Sequence, residues 1–183
     1  MITGKTSDVR NYEFGPMFNL SGVVIAVLLS AMAVPAQAPL PVDRPAASPS
    51  PSLALSLEAA KAALDACSDH KVTAAVVDSS GELKAELASD GAPPLTVELA
   101  LRKARTSATF KMPTSESKIK AKADIYFEYR LSSSLYSYYG GGVPLIAANG
   151  TLIGAVAVSG GASEANDESC ARAGADKILS RLR

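Results

Sequence analysis

Residues 71–88 read KVTAAVVDSSGELKAELA, a sequence in which two strand-forming runs flank a short turn signal. The run Lys71–Asp78 is rich in β-branched residues, which favours a strand. Ser79-Ser80-Gly81 then predicts a turn, and Glu82–Ala88 returns as a second strand. The stretch is therefore predicted to form a β-hairpin.

A second hairpin is predicted further along the chain. Val143–Ala147 and Thr151–Val158 are predicted strands, and Asn149-Gly150 between them is the strongest short-hairpin signal present. Gly140-Gly141-Gly142 precedes this hairpin as a loop, and Gly160-Gly161 follows it. Two hairpins predict a mostly antiparallel sheet of four or five strands.

Helical periodicity surrounds both hairpins. A first helix is predicted over 56–68, because apolar residues recur there on one face. Thr96 is the predicted cap of a second helix that runs to about Phe110. Thr114 or Ser115 begins a weaker third helix through about Tyr129, and the last helix runs from Asp167 to about Leu182. The predicted class is α+β, in the order α-β-β-α-α-β-β-α.

The composition excludes several classes of function. The chain has 183 residues, and its 18 Lys+Arg balance 18 Asp+Glu, so the basic excess typical of a nucleic-acid binder is absent. It contains no Trp and one His, which excludes a zinc site with several His ligands. The sequence contains no CxxC motif, P-loop or dinucleotide-binding fingerprint. We expect no nucleic-acid partner.

The first 38 residues are predicted to be a secretory signal peptide. Leu20–Val34 is an apolar run of about fifteen residues, short of the roughly twenty that span a bilayer. Ala36-Gln37-Ala38 then supplies the small-residue cleavage pattern. Met17 is an alternative start, and an uncleaved anchor is the alternative reading of the apolar run. A periplasmic or secreted protein is expected, and not an integral membrane protein.

A linker is predicted between this segment and the folded domain. Residues 39–52 read PLPVDRPAASPSPS, with five prolines and no core-forming pattern. We place the linker at 39–55 and the domain at 56–183, a normal size for a single core.

Cys67 and Cys170 lie far apart in the sequence, near the end of the first predicted helix and in the first turns of the last. Export to an oxidising compartment favours a disulfide between them if the two helices lie side by side. The alternative is that both are buried small apolar residues.

Several residues are candidates for binding chemistry. His70 is the chain's one histidine, the residue type suited to acid–base chemistry near neutral pH, and it is either an exposed loop residue or a ligand or general base. A tyrosine cluster precedes the glycine loop; its side chains either form a core edge or subunit interface, or stack on a flat ligand and ligate ferric haem iron. A basic stretch near the second helix is either solvated or pairs with ligand carboxylates such as haem propionates. The tyrosines are Tyr126, Tyr129, Tyr136, Tyr138 and Tyr139, and the basic residues are Arg102, Lys103, Arg105 and Lys111.

Four segments together resemble the GlcG/HbpS family of haem-binding proteins. They are VTAAVVDSSGELKAELASDGA (72–92), RKARTSATFKMPTSE (102–116), GGGVPLIAANGTLIGAVAVSGG (140–161) and DESCARAGADKI (167–178). The resemblance covers roughly 57–180 and is weakest over 117–138. It implies an α+β domain with a central antiparallel sheet, often assembled into homo-oligomers such as octamers. It also implies haem binding by exported members, some peroxide-dependent haem degradation, and in some cases a sensor-kinase partner.

The resemblance also suggests site residues. In some secreted members a threonine shortly before a Gly-Gly-x-Pro loop contacts haem iron. Anchored on Gly141-Gly142-Val143-Pro144, that position is Tyr136, or Ser134 after a shift of two, with Tyr138 nearby. Those members carry a Glu-x-x-Glu pair for iron, which here reads Glu98-x-x-Leu101, so one carboxylate is missing.

Three functions follow from these observations. The first is an exported haem-binding protein. The second is an enzyme that degrades haem with peroxide, although the sequence supplies no acid–base pair for efficient catalysis. The third is a self-associating structural or signalling module without haem, consistent with zero net charge and the tyrosine cluster.

Overall fold

The computed structural model describes residues 49–182. Five helices and four strands follow one another along this part of the chain, with the strands in two consecutive pairs. They are α1 Leu53–Ala66, β1 Thr73–Asp78, β2 Leu83–Ala88, α2 Pro94–Phe110, α3 Thr114–Ala123, α4 Ile125–Leu131, β3 Gly142–Ile146, β4 Leu152–Ser159 and α5 Glu164–Leu179. The predicted α+β class and element order are confirmed, with one predicted helix divided into α3 and α4. The signal peptide and most of the linker lie outside the described residues.

The four strands form one antiparallel sheet in the order β2-β1-β4-β3. Both predicted hairpins are present, and the longest strand, β4, pairs with β1 to join them. Helices α1 and α5 pack on one face of the sheet, and α2 packs on the other. The result is a three-layered domain with a sheet between two helical layers.

The two faces of the sheet bury different side chains. Successive residues of a strand point to opposite faces, so Val76 and Val156 face α1 and α5, whereas Ala75 and Ala157 face α2. The α2 face is built almost wholly of alanines from both layers. Small side chains let the backbone of α2 approach the sheet closely: a Cβ added at Gly142 would lie 2.7 Å from the carbonyl oxygen of Lys103.

The cysteine pairing is confirmed. Cys67, the C-cap of α1, forms a disulfide with Cys170 of α5, and their Cα atoms are 5.8 Å apart. The bond closes a separation of 103 residues. In the chain-entropy model such a loop stabilises the folded state by about 4–5 kcal/mol.

Local capping explains where the helices differ from prediction. The first helix begins at Leu53, three residues before its predicted start, because the Ser52 hydroxyl caps it by accepting a bond from the Leu55 N–H. The predicted third helix breaks at Asp124, which is extended and whose carboxylate caps α4 by accepting bonds from Tyr126 and Phe127 N–H groups. An aspartate can interrupt a helix in this way because its short side chain accepts hydrogen bonds from nearby backbone N–H groups.

The predicted cap of α2 is wrong. Pro93 is the N-cap residue, and Thr96 is buried inside the first turn. The Thr96 hydroxyl donates to the Pro93 carbonyl and lies 2.9 Å from the Thr73 hydroxyl of β1. Thr96 therefore joins α2 to the sheet. The last helix also starts earlier than predicted, at Glu164, because Ser163 caps it.

Candidate functional site

The loop between α4 and β3 carries most of the predicted site residues, and it is fixed at its middle. Ser137 is buried, and its N–H donates to the Thr106 hydroxyl of α2 at 2.9 Å. Tyr136 is half-buried and packs edge-on against Phe110, with ring centroids 5.3 Å apart. Tyr138 and Tyr139 are exposed beyond this anchor. The loop therefore presents its tyrosines in two different surroundings.

Tyr136 lines a surface cleft together with a cation. This Tyr136 cleft has a volume of about 330 Å³ and lies between α2, the loop and the turn that joins β1 to β2. Its other lining residues include Arg105, Thr109 and Leu135. The Arg105 Nε donates to the Gly81 carbonyl at 3.2 Å, which holds the guanidinium at the cleft wall. A phenol, a guanidinium and an exposed leucine thus face one space.

Glu86 on β2 interacts electrostatically with the same guanidinium. Burial raises the pKa of the Glu86 carboxyl above its ordinary value, and Arg105 offsets part of that effect. One carboxyl oxygen, Oε1, is buried and accepts no hydrogen bond from residues 49–182. Arg105 therefore interacts with Glu86 as well as lining the Tyr136 cleft.

Tyr138 lines a second, smaller cleft. This Tyr138 cleft has a volume of about 210 Å³ and is lined also by Lys118, Lys122 and Glu128. Lys118 forms an ion pair with Glu164 at 2.7 Å and lies 5.7 Å from the centre of the Tyr139 ring. The hydrogen bond to Glu164 raises the pKa of Lys118. Partial burial acts to raise the pKa of Glu164, but hydrogen bonds from Lys118 and the Gly140 N–H outweigh it and lower that pKa.

Gly141 and Gly142 serve the backbone connections of β3. The Gly142 N–H donates to the Thr114 hydroxyl, and the Gly141 carbonyl accepts from Val158 N–H at 2.8 Å. Gly141 has φ +130°, and a Cβ there would lie 2.6 Å from the Val158 carbonyl oxygen. Only glycine fits this close approach. The observed contacts of both glycines are structural.

The remaining predicted residues lie away from both clefts. His70 is in the turn before β1, and its Nε2 is 3.5 Å from the Asp69 carboxylate. Ser134 is exposed in the loop and lines neither cleft. Glu98 is exposed on α2 and forms an ion pair with Arg102. Within the described chain, no group of three or more His, Cys, Asp or Glu side chains could hold a metal ion.

Lys103 and Asp167 form a buried ion pair that was not predicted from the sequence. Lys103 and Asp167 are 2.8 Å apart, and their side chains are only 3% and 7% exposed. The Lys103 ammonium also donates to the Val158 carbonyl at 3.0 Å, and the Asp167 Oδ1 accepts from Gly161 N–H at 2.7 Å. The burial of Lys103 could have been predicted from helical periodicity, because Lys103 lies on the same face of α2 as the inward-facing Ala100 and Ala104.

Comparison with known proteins gives the family. The family described as "Haem degrading protein HbpS-like" matches residues 52–176, most of the chain. The chain belongs to the HbpS-like family of haem-degrading proteins. The haem-protein resemblance of the sequence is thereby confirmed at the level of the family.

Solved structures of HbpS-like and related proteins agree. A double mutant of HbpS from Streptomyces reticuli is 34% identical, with 72% of this chain and 88% of that chain covered and a TM-score of 0.63. The PduOC–haem complex is 26% identical, with 70% of this chain and 95% of that chain covered and a TM-score of 0.61. ORFY of Klebsiella pneumoniae shares the fold, with a TM-score of 0.65. It is 24% identical, with 75% of this chain and 97% of that chain covered. No curated protein matches the chain.

Proposed function

We propose that this protein is an exported haem-binding protein that holds haem at the Tyr136 cleft. The observation that carries this proposal is that Tyr136 and Arg105 line one cleft with the exposed Leu135. The HbpS-like family match and the likeness to a haem complex of PduOC support it.

The residues of the Tyr136 cleft fit the chemistry of haem. A tyrosine phenolate is an established ligand of ferric haem iron, which gives Tyr136 its role. A guanidinium binds carboxylates through paired hydrogen bonds, so Arg105 is the partner for a propionate. The Nη groups of Arg105 have no acceptor among residues 49–182, and they remain available. Leu135 and the Tyr136 ring supply apolar contact.

The other predicted ligands rank below Tyr136. The Tyr138 cleft also combines a phenol with cations, Lys118 and Lys122, but it is smaller. Ser134 and His70 line neither cleft. Tyr138 is therefore the second candidate for the iron ligand.

Binding and sequestration fit this cleft better than fast catalysis. The one titratable acid that lines it is Glu82, and no histidine does so. We expect peroxide to bleach the Soret band of the bound haem no faster than that of free hemin. Bleaching accelerated by the protein and lost in Glu82→Gln would support the degrading enzyme instead.

A hemin titration followed by the Soret band tests the proposal. The wild-type protein should saturate at one hemin per chain, and Tyr136→Phe should weaken binding by roughly tenfold or more, equivalent to about 1.4 kcal/mol. Tyr126→Phe is the matched control, because that ring is 82% exposed on α4 and lines neither cleft. Equal affinity of wild type and Tyr136→Phe would contradict the assignment.

Self-association is a second candidate function, favoured by an exposed apolar face on α3 and α4. Ile125, Tyr126 and Tyr129 are 70–82% exposed, and Ile119 is 69% exposed. Exposed apolar patches of this kind mark interaction sites. We propose a second copy of this chain as the occupant, in line with the expected homo-oligomer.

Light scattering tests this candidate. The wild-type protein should form an oligomer that Ile125→Lys dissociates. Leu83→Lys on β2, where another exposed aliphatic side chain is replaced, should leave the oligomer intact. A monomeric wild-type protein would contradict self-association and would leave a sensor protein as the partner to test.

A further inference from the structure

A third cleft lies at the first half of α2, separate from the Tyr136 cleft. It has a volume of about 410 Å³, within the range of small-molecule sites, which is about 300–1,000 Å³. Leu95, Leu99 and Tyr139 form its walls, and the buried Lys103 and Asp167 lie at its base. It shares no lining residue with the Tyr136 cleft. We refer to it as the Lys103 cleft.

The Lys103 ammonium has a donor to spare at the base of this cleft. An ammonium carries three hydrogens. Two acceptors take two of them: Asp167 Oδ2 at 2.8 Å and the Val158 carbonyl at 3.0 Å. No third acceptor lies within hydrogen-bond distance in the part of the chain that the structure describes. A donor left unpaired in a buried position costs free energy, so an acceptor from a ligand would be favoured there.

The acidic groups of the cleft are already occupied. Asp167 accepts from both Lys103 and the Gly161 N–H. Glu164 at the rim accepts from Lys118 and from the Gly140 N–H. The cleft therefore offers donors and apolar carbon to a ligand, and it offers no free carboxylate to a cationic one.

We propose that the Lys103 cleft binds a small organic carboxylate. The carboxylate accepts the third hydrogen of Lys103, and the apolar part of the molecule lies between Leu95, Leu99 and the Tyr139 ring. The proposal stands apart from haem binding, because neither Tyr136 nor Arg105 takes part.

Calorimetric titration of the purified protein with three probes tests the ligand class. Benzoate should bind saturably, benzamide should bind roughly tenfold more weakly because it lacks the charge, and benzylamine should not bind. We expect a Kd in the millimolar range or tighter. Absence of saturable benzoate binding up to about 10 mM would therefore overturn the proposal. Benzylamine binding as tightly as benzoate would also overturn it.

Two variants locate the site. Leu99→Trp places a larger ring in the cleft and should abolish benzoate binding without changing the hemin titration. Leu83→Trp, on the edge strand β2, is the matched control and should bind benzoate as the wild type does. Unchanged benzoate binding in Leu99→Trp would contradict the location. Displacement of benzoate by one equivalent of hemin would assign the cleft to haem and overturn a separate site.

Discussion

Lys103 joins three elements through one buried side chain. It belongs to α2, pairs with Asp167 of α5 and donates to the backbone of β4. A Cβ at Gly141 would lie 2.9 Å from its ammonium nitrogen, so the glycine loop also packs against it. The residue thus connects the layer of α2 with the segment that precedes β3.

Lys103→Met should destabilise the protein strongly. The substitution keeps most of the side-chain volume but leaves the buried Asp167 carboxylate without its cation, which costs about 3–5 kcal/mol. Urea unfolding measures the change. Lys61→Met is the matched control, because the Lys61–Asp65 pair is exposed and should contribute less than about 1 kcal/mol. Equal effects of both substitutions would contradict the stabilising role of the buried pair.

Glu86→Gln should stabilise the protein near neutral pH. The pKa of Glu86 is raised in the folded state, chiefly by burial, so folding disfavours the ionised form. Stability should therefore fall as pH rises from the ordinary glutamate pKa through the folded-state pKa. Glutamine removes this loss, and because the group is only partly buried we expect a Tm increase of about 1–2 °C at pH 7. The readout is Tm measured by circular dichroism between pH 4 and 7.

A Tm of Glu86→Gln below that of wild type at pH 7 would contradict this account. It would mean that the attraction between the ionised Glu86 and Arg105 outweighs the effect of burial.

Helices α1 and α5 approach each other closely at Gly174. A Cβ there would lie 2.5 Å from the Ala59 carbonyl oxygen and 2.9 Å from the Ala63 Cβ. The disulfide joins the same two helices. The close approach explains why a glycine occupies the middle of a helix, where it is normally unfavourable.

Gly174→Ala should destabilise the protein, against the trend of helix propensity. Propensity alone predicts a gain of about 1 kcal/mol for Gly→Ala in a helix. Overlap with the backbone of α1 should outweigh it and give a net loss of about 1–3 kcal/mol in urea unfolding. Ala173→Gly, at the exposed position just before Gly174, should lower the free energy of unfolding only by the difference in helix propensity. A more stable Gly174→Ala protein would show that α1 and α5 can separate at no cost.

The sequence predicted the elements better than their contacts. Both hairpins followed from β-branched runs and turn residues, which act locally. The break at Asp124 was missed because periodicity alone does not show that an aspartate caps the next turn. Lys103 was grouped with Arg102 and Arg105 as a basic stretch, although helical register places it inward. The joint lining of one cleft by Tyr136 and Arg105 depends on packing between distant segments and needed the structure.

The described domain, residues 49–182, contains no helix long and apolar enough to cross a membrane. The residues on which the prediction of export depends precede the described domain. Export therefore stays a prediction from the sequence. Leu20–Val34 and the Ala36-Gln37-Ala38 pattern favour cleavage by a signal peptidase.

The mature protein should therefore begin at Pro39. Intact-mass analysis of the protein recovered from its producing cells measures this directly. Retention of the apolar segment would contradict cleavage and support the membrane-anchored alternative. Replacement of Ala36 and Ala38 by larger residues should block processing, while a similar change at Gln37 should not.

Resonance Raman spectra of the ferric haem complex test the central proposal most directly, because they identify the iron ligand. If Tyr136 is the iron ligand, tyrosinate vibrations should be present in the wild-type complex, disappear in Tyr136→Phe and persist in Tyr138→Phe. Tyrosinate vibrations unchanged in Tyr136→Phe would contradict it. So would a histidine-ligated spectrum that His70→Ala abolishes.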